Sequence, residues 1–146
     1  THCISSAASD VYKRQVVPGV TSAVSVPAAA SVPVTQRGVT HAFTVVSGHL
    51  PPGHEKSLVD WGALARVGGT IVVVMGVRNV RAITAALVEA GLPGDIPAAV
   101  IQEGETDAQR VYFATAASLA DVMEAESVAA PAVYVVGEVA GLAHAG

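Results

Sequence analysis

The sequence predicts an α/β protein, a sheet covered by helices on both faces. Short apolar runs of strand length alternate with segments whose apolar residues recur at helical spacing, and glycine-containing loops separate them. Residues 70–75 form a continuous, β-branched apolar run, which is typical of a strand buried on both faces. Hydrophobic residues make up 51% of the chain and charged residues 14%, which excludes a disordered polypeptide.

Composition also narrows the classes of partner and site. The single cysteine, Cys3, excludes a disulfide scaffold. No apolar run reaches the roughly 18 to 20 residues that span a bilayer. The net charge of −4 argues against nucleic acid or an anionic membrane surface as a partner. The charge and the run lengths therefore indicate a protein that binds neither membrane nor nucleic acid. A cytoplasmic location is expected.

Residues 1–15 differ from the rest of the chain. They contain Cys3 and Lys13 but no hydrophobic period, and no capping or turn pattern. Residues 5–15 match the translation of a transposon-end adapter used to prepare sequencing libraries. We predict that this segment is not native. The native part would then start at Val16 and be a C-terminal fragment of a longer gene product.

Residues 16–38 are predicted to close a preceding N-terminal domain and to link it to the next. Residues 16–20 have the pattern of a buried strand that runs into a turn. Residues 21–30 predict a short helix capped by Thr21 or Ser22, with a break or a distorted turn at Pro27. Residues 31–38 have the composition of a linker.

Residues 39–146 are predicted to form a complete C-terminal α/β domain. Strands are expected at residues 40–47, 70–75, 97–102, 111–115 and 131–137. A helix that Asp60 caps should run to about Val67 and end at Gly68. Further helices are expected at residues 79–90, which Gly91 ends, and near residues 119–125.

Ligands of open α/β sheets bind beyond the carboxyl ends of strands, so four junctions are candidate sites. These junctions are residues 18–22, 75–76, 103–106 and Glu138. The alternative interpretations are structural: Met75 as core filler and Thr21-Ser22 as a helix cap. The sequence contains neither GxGxxG nor GxxxxGK, so the evidence for a nucleotide phosphate loop is weak.

Other chemistry has little support in the spacing of residues. The histidines follow no metal-ligand pattern, which argues against a zinc site (His41, His49, His54, His144). A Ser-His-Asp arrangement stays open, but no GxSxG elbow supports it. The acidic group Glu103, Glu105 and Asp107 is expected to be a solvated loop.

Extended strings of the sequence resemble one protein family. The longest is VVPGVTSAVSVPAAASVPVTQRGVTHAFTVVSGH at residues 16–49. It is followed along the chain by a strand that ends in Met75-Gly76, by PAAVIQEGETDAQR at residues 97–110 and by PAVYVVGEV at residues 131–139. In this order they are similar to the tetrapyrrole methyltransferase family, and within it to the enzymes that C-methylate uroporphyrinogen III. The resemblance covers residues 16–146.

The resemblance implies a fold and an activity. Members are two-domain α/β proteins, usually homodimers, that bind S-adenosyl-L-methionine between the domains as methyl donor. The implied reaction converts uroporphyrinogen III to precorrin-2 for sirohaem and cobalamin synthesis, without a metal. The fragment alone should be inactive and bind the cofactor weakly. The proton acceptor is expected in the missing N-terminal half, so no catalytic residue is assigned.

The resemblance also implies site residues. The cofactor would contact Thr21, Ser22, Met75, Gly104 and Ala132. Arg37 would bind a carboxylate of the substrate, and such pairing suits guanidinium chemistry. Gln36 and Ser31 stand where the family usually has histidine and glycine, and both departures lie near the expected substrate side. The alternatives are another precorrin methyltransferase, or a non-catalytic ligand-binding module.

Overall fold

The computed structural model describes residues 15–143. The predicted foreign segment, apart from Gln15, and His144 lie outside the described residues. The helices are α1 Ser22–Ala29, α2 Trp61–Val67, α3 Val80–Glu89, α4 Leu119–Ala125 and α5 Val139–Leu142, with a 3₁₀ helix at Val77–Asn79. The strands are β1 Phe43–Ser47, β2 Thr70–Val74, β3 Pro97–Gln102, β4 Arg110–Thr115 and β5 Ala132–Val136.

The five strands form one mixed sheet in the order β1-β2-β5-β3-β4. Strands β1 and β2 are parallel, whereas β5 lies between β2 and β3 and is antiparallel to both. Strands β3 and β4 pair as an antiparallel hairpin. The start of β5 therefore lies at the same edge of the sheet as the carboxyl ends of β2 and β3.

Helices cover both faces of the sheet, as the sequence predicts. Trp61, Ile83 and Leu119, from α2, α3 and α4, pack with Ile71 and Val73 on one face. On the other face, α1 and α5 contribute Ala23, Val26, Val139 and Ala140 to a second cluster that includes Val72, Ala99 and Val135. Successive residues of β2 enter opposite clusters, which is the two-residue period of a strand buried on both faces.

The predicted strand at residues 16–20 is wrong. These residues have no strand assignment, and Val16, Val17 and Val20 are more than 80% exposed. A strand needs a neighbour to satisfy its backbone, and no described strand pairs with this segment. Apolar residues alone therefore do not make a strand of this segment, which has no pairing strand among residues 15–143.

Helix α1 begins and ends through local hydrogen bonds. The Thr21 Oγ1 atom accepts a hydrogen bond from Ala23 N at 3.2 Å, so the predicted cap is present. Pro27 does not break the helix, which continues to Ala29. Its missing N–H falls in the last turns of a short helix, where the loss of one hydrogen bond leaves the remainder intact. Pro27 is buried in the folded chain.

No helix in the described part of the chain is long and apolar enough to cross a membrane.

Candidate functional site

A cavity of about 530 Å³ opens at the sheet edge where β2 and β3 end and β5 begins. Val74 pairs with Val133 and Gln102 pairs with Ala132, so these three strand ends are adjacent. Most of the lining side chains are apolar, and the residues are Ser22, Val26, His49, Val74, Met75, Val77, Arg78, Asn79, Ile101, Gly104, Ala130, Pro131, Ala132 and Val133. Size and lining are those of a small-molecule site.

The chain turns sharply after β2 and after β3. Met75 has φ 55° and Glu103 has φ 48°, a left-handed conformation that L-residues with side chains rarely adopt. The Met75 side chain is 68% exposed and borders the cavity, so its interpretation as core filler is wrong. Backbone strain of this kind recurs at ligand sites.

The turns after β1 and β2 pack against each other without room for side chains. A Cβ atom on Gly48 would lie 2.7 Å from the Gly76 Cα, and one on Gly76 would lie 2.6 Å from the Tyr134 hydroxyl. Gly48 N donates to Val74 O at 2.8 Å, and Asn79 Nδ2 donates to Gly48 O at 2.7 Å. The two loops therefore form one connected wall of the cavity.

Tyr134 supports that wall from inside the sheet. Its side chain is fully buried, and its hydroxyl donates to Gly76 O at 3.3 Å. Burial raises the pKa of the Tyr134 hydroxyl well above its usual value because the phenolate would be desolvated. The hydroxyl therefore stays protonated and holds the turn at Gly76 by donating this hydrogen bond.

Helix α1 and the loop that follows β3 form the opposite wall. A Cβ atom on Gly104 would lie 2.5 Å from Val26 Cγ1, so the helix requires glycine at this position. Ser25 Oγ donates to Glu105 Oε2 at 2.9 Å, and Gln109 Nε2 donates to Ala29 O at 3.5 Å. These contacts hold α1 against the loop that follows β3, and Ser22, the first residue of the helix, lines the cavity.

The structure brings most of the predicted cofactor residues together. Ser22, Met75, Gly104 and Ala132 all line the cavity. Thr21 is not a lining residue; its hydroxyl caps α1 and thereby positions Ser22. The contacts of these residues with a cofactor remain predictions.

Arg37, the predicted substrate contact, lies outside the cavity lining. It is exposed in a turn between Gln36 and Thr40, whose backbones form an isolated bridge. Ser31 also has a structural role, since it has φ 60° directly after α1. Glycine adopts this conformation at lower cost, which explains a preference for glycine at this position without reference to substrate.

Two of the four predicted junctions do not contribute strand ends to this edge. Glu138 follows β5, which is antiparallel to β2, so Glu138 lies at the opposite edge of the sheet. Residues 18–22 follow no described strand, and Ser22 reaches the cavity through helix α1 instead. The rule of carboxyl strand ends fails here because it assumes parallel strands.

Sequence reasoning missed His49, Arg78 and Asn79, which line the same cavity. His49 lies two residues after β1, and Arg78 and Asn79 lie in the 3₁₀ helix after β2. Strands β1 and β2 are parallel, so their carboxyl ends lie at the same edge of the sheet. The expectation that ligands bind beyond the carboxyl ends of strands, extended to the end of β1 at Ser47, would have identified His49 as a candidate.

The remaining charged groups form no metal site in residues 15–143. The loop that carries Glu103, Glu105 and Asp107 is largely exposed, as expected for a solvated loop. Arg81 contacts Asp121 and Glu124 at 2.8 Å each on the outer surface. Hydrogen bonds to these two carboxylates raise the pKa of the Arg81 guanidinium, which stays charged.

Known proteins are similar to this chain in both sequence and fold. A uroporphyrinogen III methyltransferase of Methanosarcina barkeri, described as S-adenosyl-L-methionine-dependent, is 45% identical over 128 residues, which is 88% of this chain and 50% of the relative. A siroheme synthase of Methylococcus capsulatus is 41% identical over 88% of this chain and 27% of its own length. The chain thus spans about half the length of the first relative and about a quarter of the length of the second.

A solved structure gives the same result. The uroporphyrin-III C-methyl transferase of Thermus thermophilus, complexed with S-adenyl homocysteine, superposes with a TM-score of 0.70 at 33% identity. The superposition covers 88% of this chain and 54% of that protein. The family described as Tetrapyrrole (Corrin/Porphyrin) Methylases matches residues 4–120, a range that begins inside the segment predicted to be foreign. The chain belongs to the tetrapyrrole methylase family.

Proposed function

We propose that this chain is the cofactor-binding C-terminal half of an S-adenosylmethionine-dependent uroporphyrinogen III C-methyltransferase that forms precorrin-2. One observation carries the proposal: residues assigned to the cofactor by resemblance, from four separate segments, line a single cavity (Ser22, Met75, Gly104, Ala132). The printed activities of the Methanosarcina and Thermus relatives agree with it.

The cavity fits an adenosyl group in size and chemistry. Its volume of about 530 Å³ lies within the range of small-molecule sites. The apolar side chains of Met75 and Ala132 would contact the adenosine, and Gly104 allows Val26 of α1 to pack directly against the loop after β3. Ser22 offers a hydroxyl at the amino end of α1.

S-adenosylmethionine supplies an electrophilic methyl group on its sulfonium. The residues of this chain would hold the donor in one orientation, and alignment with a pyrrole carbon is the main catalytic contribution. The apolar lining would keep water from the reacting atoms. Arg37 would bind a substrate carboxylate from its exposed turn, and the proton acceptor would lie in the other half of the protein.

We further propose that residues 1–15 are not native, that residues 16–38 close the N-terminal domain of a longer protein and that residues 39–146 form its C-terminal domain. The exposure of Val16, Val17 and Val20 is what a strand shows without its neighbours. The longer protein would be a cytoplasmic homodimer. Its dimer could use Phe43 and Val45, which are 40% and 46% exposed on edge strand β1.

The test is a methyl-transfer assay. The longer gene product that contains residues 16–146 should transfer labelled methyl groups from S-adenosylmethionine to uroporphyrinogen III, two per molecule. The 146-residue chain alone should transfer none. A complete product that transfers no label would refute the activity. Sequencing of the gene upstream of Val16 would test the adapter, and light scattering would test the dimer.

A further inference from the structure

We infer that Arg78 and His49 form a carboxylate-binding subsite at the rim of the cavity. Both side chains belong to exposed residues that line it, on the loops that follow β2 and β1. This inference rests on the proposed function for the identity of its ligands. The two ligands of that function both carry carboxylates: the amino-acid part of the cofactor and the side chains of the tetrapyrrole.

The charge of Arg78 is available to a ligand. Among the described residues Arg78 forms no ion pair, whereas Arg81, three positions later, is bound by Asp121 and Glu124. The two arginines border one smaller pocket that Glu124 also lines, but the carboxylate of Glu124 pairs with Arg81. A guanidinium at the mouth of an apolar cavity binds a carboxylate strongly because the hydrogen bonds are charge-assisted and bidentate.

His49 is positioned to donate a second hydrogen bond. Ser47 Oγ lies 2.8 Å from His49 Nδ1. When the serine donates to Nδ1, the neutral imidazole carries its proton on Nε2, where it can donate to a carboxylate oxygen. Positively charged imidazole donates from the same atom, so the subsite does not depend on protonation of His49.

The backbone holds the two groups on one wall. Asn79 Nδ2 donates to Gly48 O at 2.7 Å, which joins the residue after Arg78 to the residue before His49. The close contact of Gly48 with Gly76 leaves no space for a side chain between the loops. The rim is therefore fixed before a ligand arrives, which lowers the entropy cost of binding.

The experiment is an NMR titration of the 146-residue chain with three probes. S-adenosylhomocysteine carries the amino-acid carboxylate, 5′-methylthioadenosine lacks it, and uroporphyrin III carries tetrapyrrole carboxylates alone. NMR detects weak binding, which suits a chain that spans half of its relatives. The test variants are Arg78→Gln and His49→Gln. The matched controls are Arg81→Gln on the outer surface and His54→Gln, whose residue does not line the cavity.

Arg78→Gln is expected to weaken binding of a carboxylate probe roughly tenfold or more, and His49→Gln less. Loss for S-adenosylhomocysteine with 5′-methylthioadenosine unchanged would assign the subsite to the cofactor. Loss for uroporphyrin III with both adenosyl probes unchanged would assign it to the tetrapyrrole. Wild-type chain that binds no carboxylate probe, or losses shared by the controls, would overturn the subsite. The methyl-transfer assay judges the proposed activity separately.

Discussion

Replacement of Ser31 by glycine should stabilise the folded chain. Ser31 follows the last residues of α1 with φ 60°. Its N–H donates to Ala28 O at 2.9 Å, and Val32 N donates to Pro27 O at 2.8 Å, which together form a Schellman motif. Val32 is fully buried, so this helix end is anchored in the core. The left-handed conformation at Ser31 is therefore enforced by the fold.

The size of the effect follows from two opposing terms. A left-handed conformation costs a residue with a side chain about 1–2 kcal/mol, and glycine avoids this. Glycine loses more backbone entropy on folding, about 0.5–1 kcal/mol. The net gain for Ser31→Gly should be roughly 0.5–1 kcal/mol, which raises Tm by about 1–4 °C for a chain of this size.

Urea unfolding followed by circular dichroism measures this gain. Ser31→Ala should leave the free energy of unfolding nearly unchanged, because alanine meets the same backbone penalty. Ala30→Gly is the matched control: Ala30 has φ −95°, so glycine there should destabilise the chain by roughly 0.5–1 kcal/mol. Equal gains for Ser31→Ala and Ser31→Gly, or no gain for glycine, would refute the reasoning.

Three further predictions concern the cavity walls and follow from close contacts. Gly48→Ala should lower the free energy of unfolding by about 1–3 kcal/mol through overpacking, whereas Gly19→Ala, with nothing within 4 Å of a new Cβ, should leave urea denaturation unchanged. Gly104→Ala should weaken S-adenosylhomocysteine binding in an NMR titration because the methyl group displaces Val26, and Val26→Ala should restore part of that binding; additive losses would contradict the contact. Above about pH 10 the free energy of unfolding should fall more steeply in the wild type than in Tyr134→Phe, by up to about 1.4 kcal/mol for each pH unit. The reason is that Tyr134 ionises at lower pH in the unfolded chain than in the folded one. Identical pH profiles of the two proteins in urea unfolding would contradict a buried neutral Tyr134.

Local signals in the sequence were sufficient to predict most of the elements. Pro97–Gln102 and Leu119–Ala125 have the predicted bounds, and Asp60 caps α2 through a hydrogen bond from Ala63 N at 2.8 Å. Each of these elements is determined by residues that are close together in the sequence, such as a run of apolar side chains, a capping side chain or a glycine at the end of a helix. Residues 16–20 are the exception, because a strand exists by pairing and no strand among the described residues pairs with them.

Strand direction is the property that local pattern could not supply, and it decided the site. The same apolar run is compatible with either orientation of β5, yet orientation determines whether Ala132 or Glu138 lies beside Met75. Because β5 is antiparallel to β2, the start of the PAV string, not its end, faces the cavity. Ala132, which the resemblance assigned to the cofactor, lies at this edge, whereas the strand-end rule alone selected Glu138.

The cavity also explains why glycines and strained residues concentrate at one edge. Gly48, Gly76 and Gly104 each lie where a Cβ atom would come within 3 Å of another residue, while Met75 and Glu103 take left-handed conformations beside two of them. Close backbone approach brings polar main-chain groups and the rim side chains to a ligand without intervening side chains. The strain is held by the buried strands β2 and β3, whose cores lie on both faces. A ligand site at this edge therefore depends on the stability of the whole sheet, and substitutions at these glycines should alter binding and folding together.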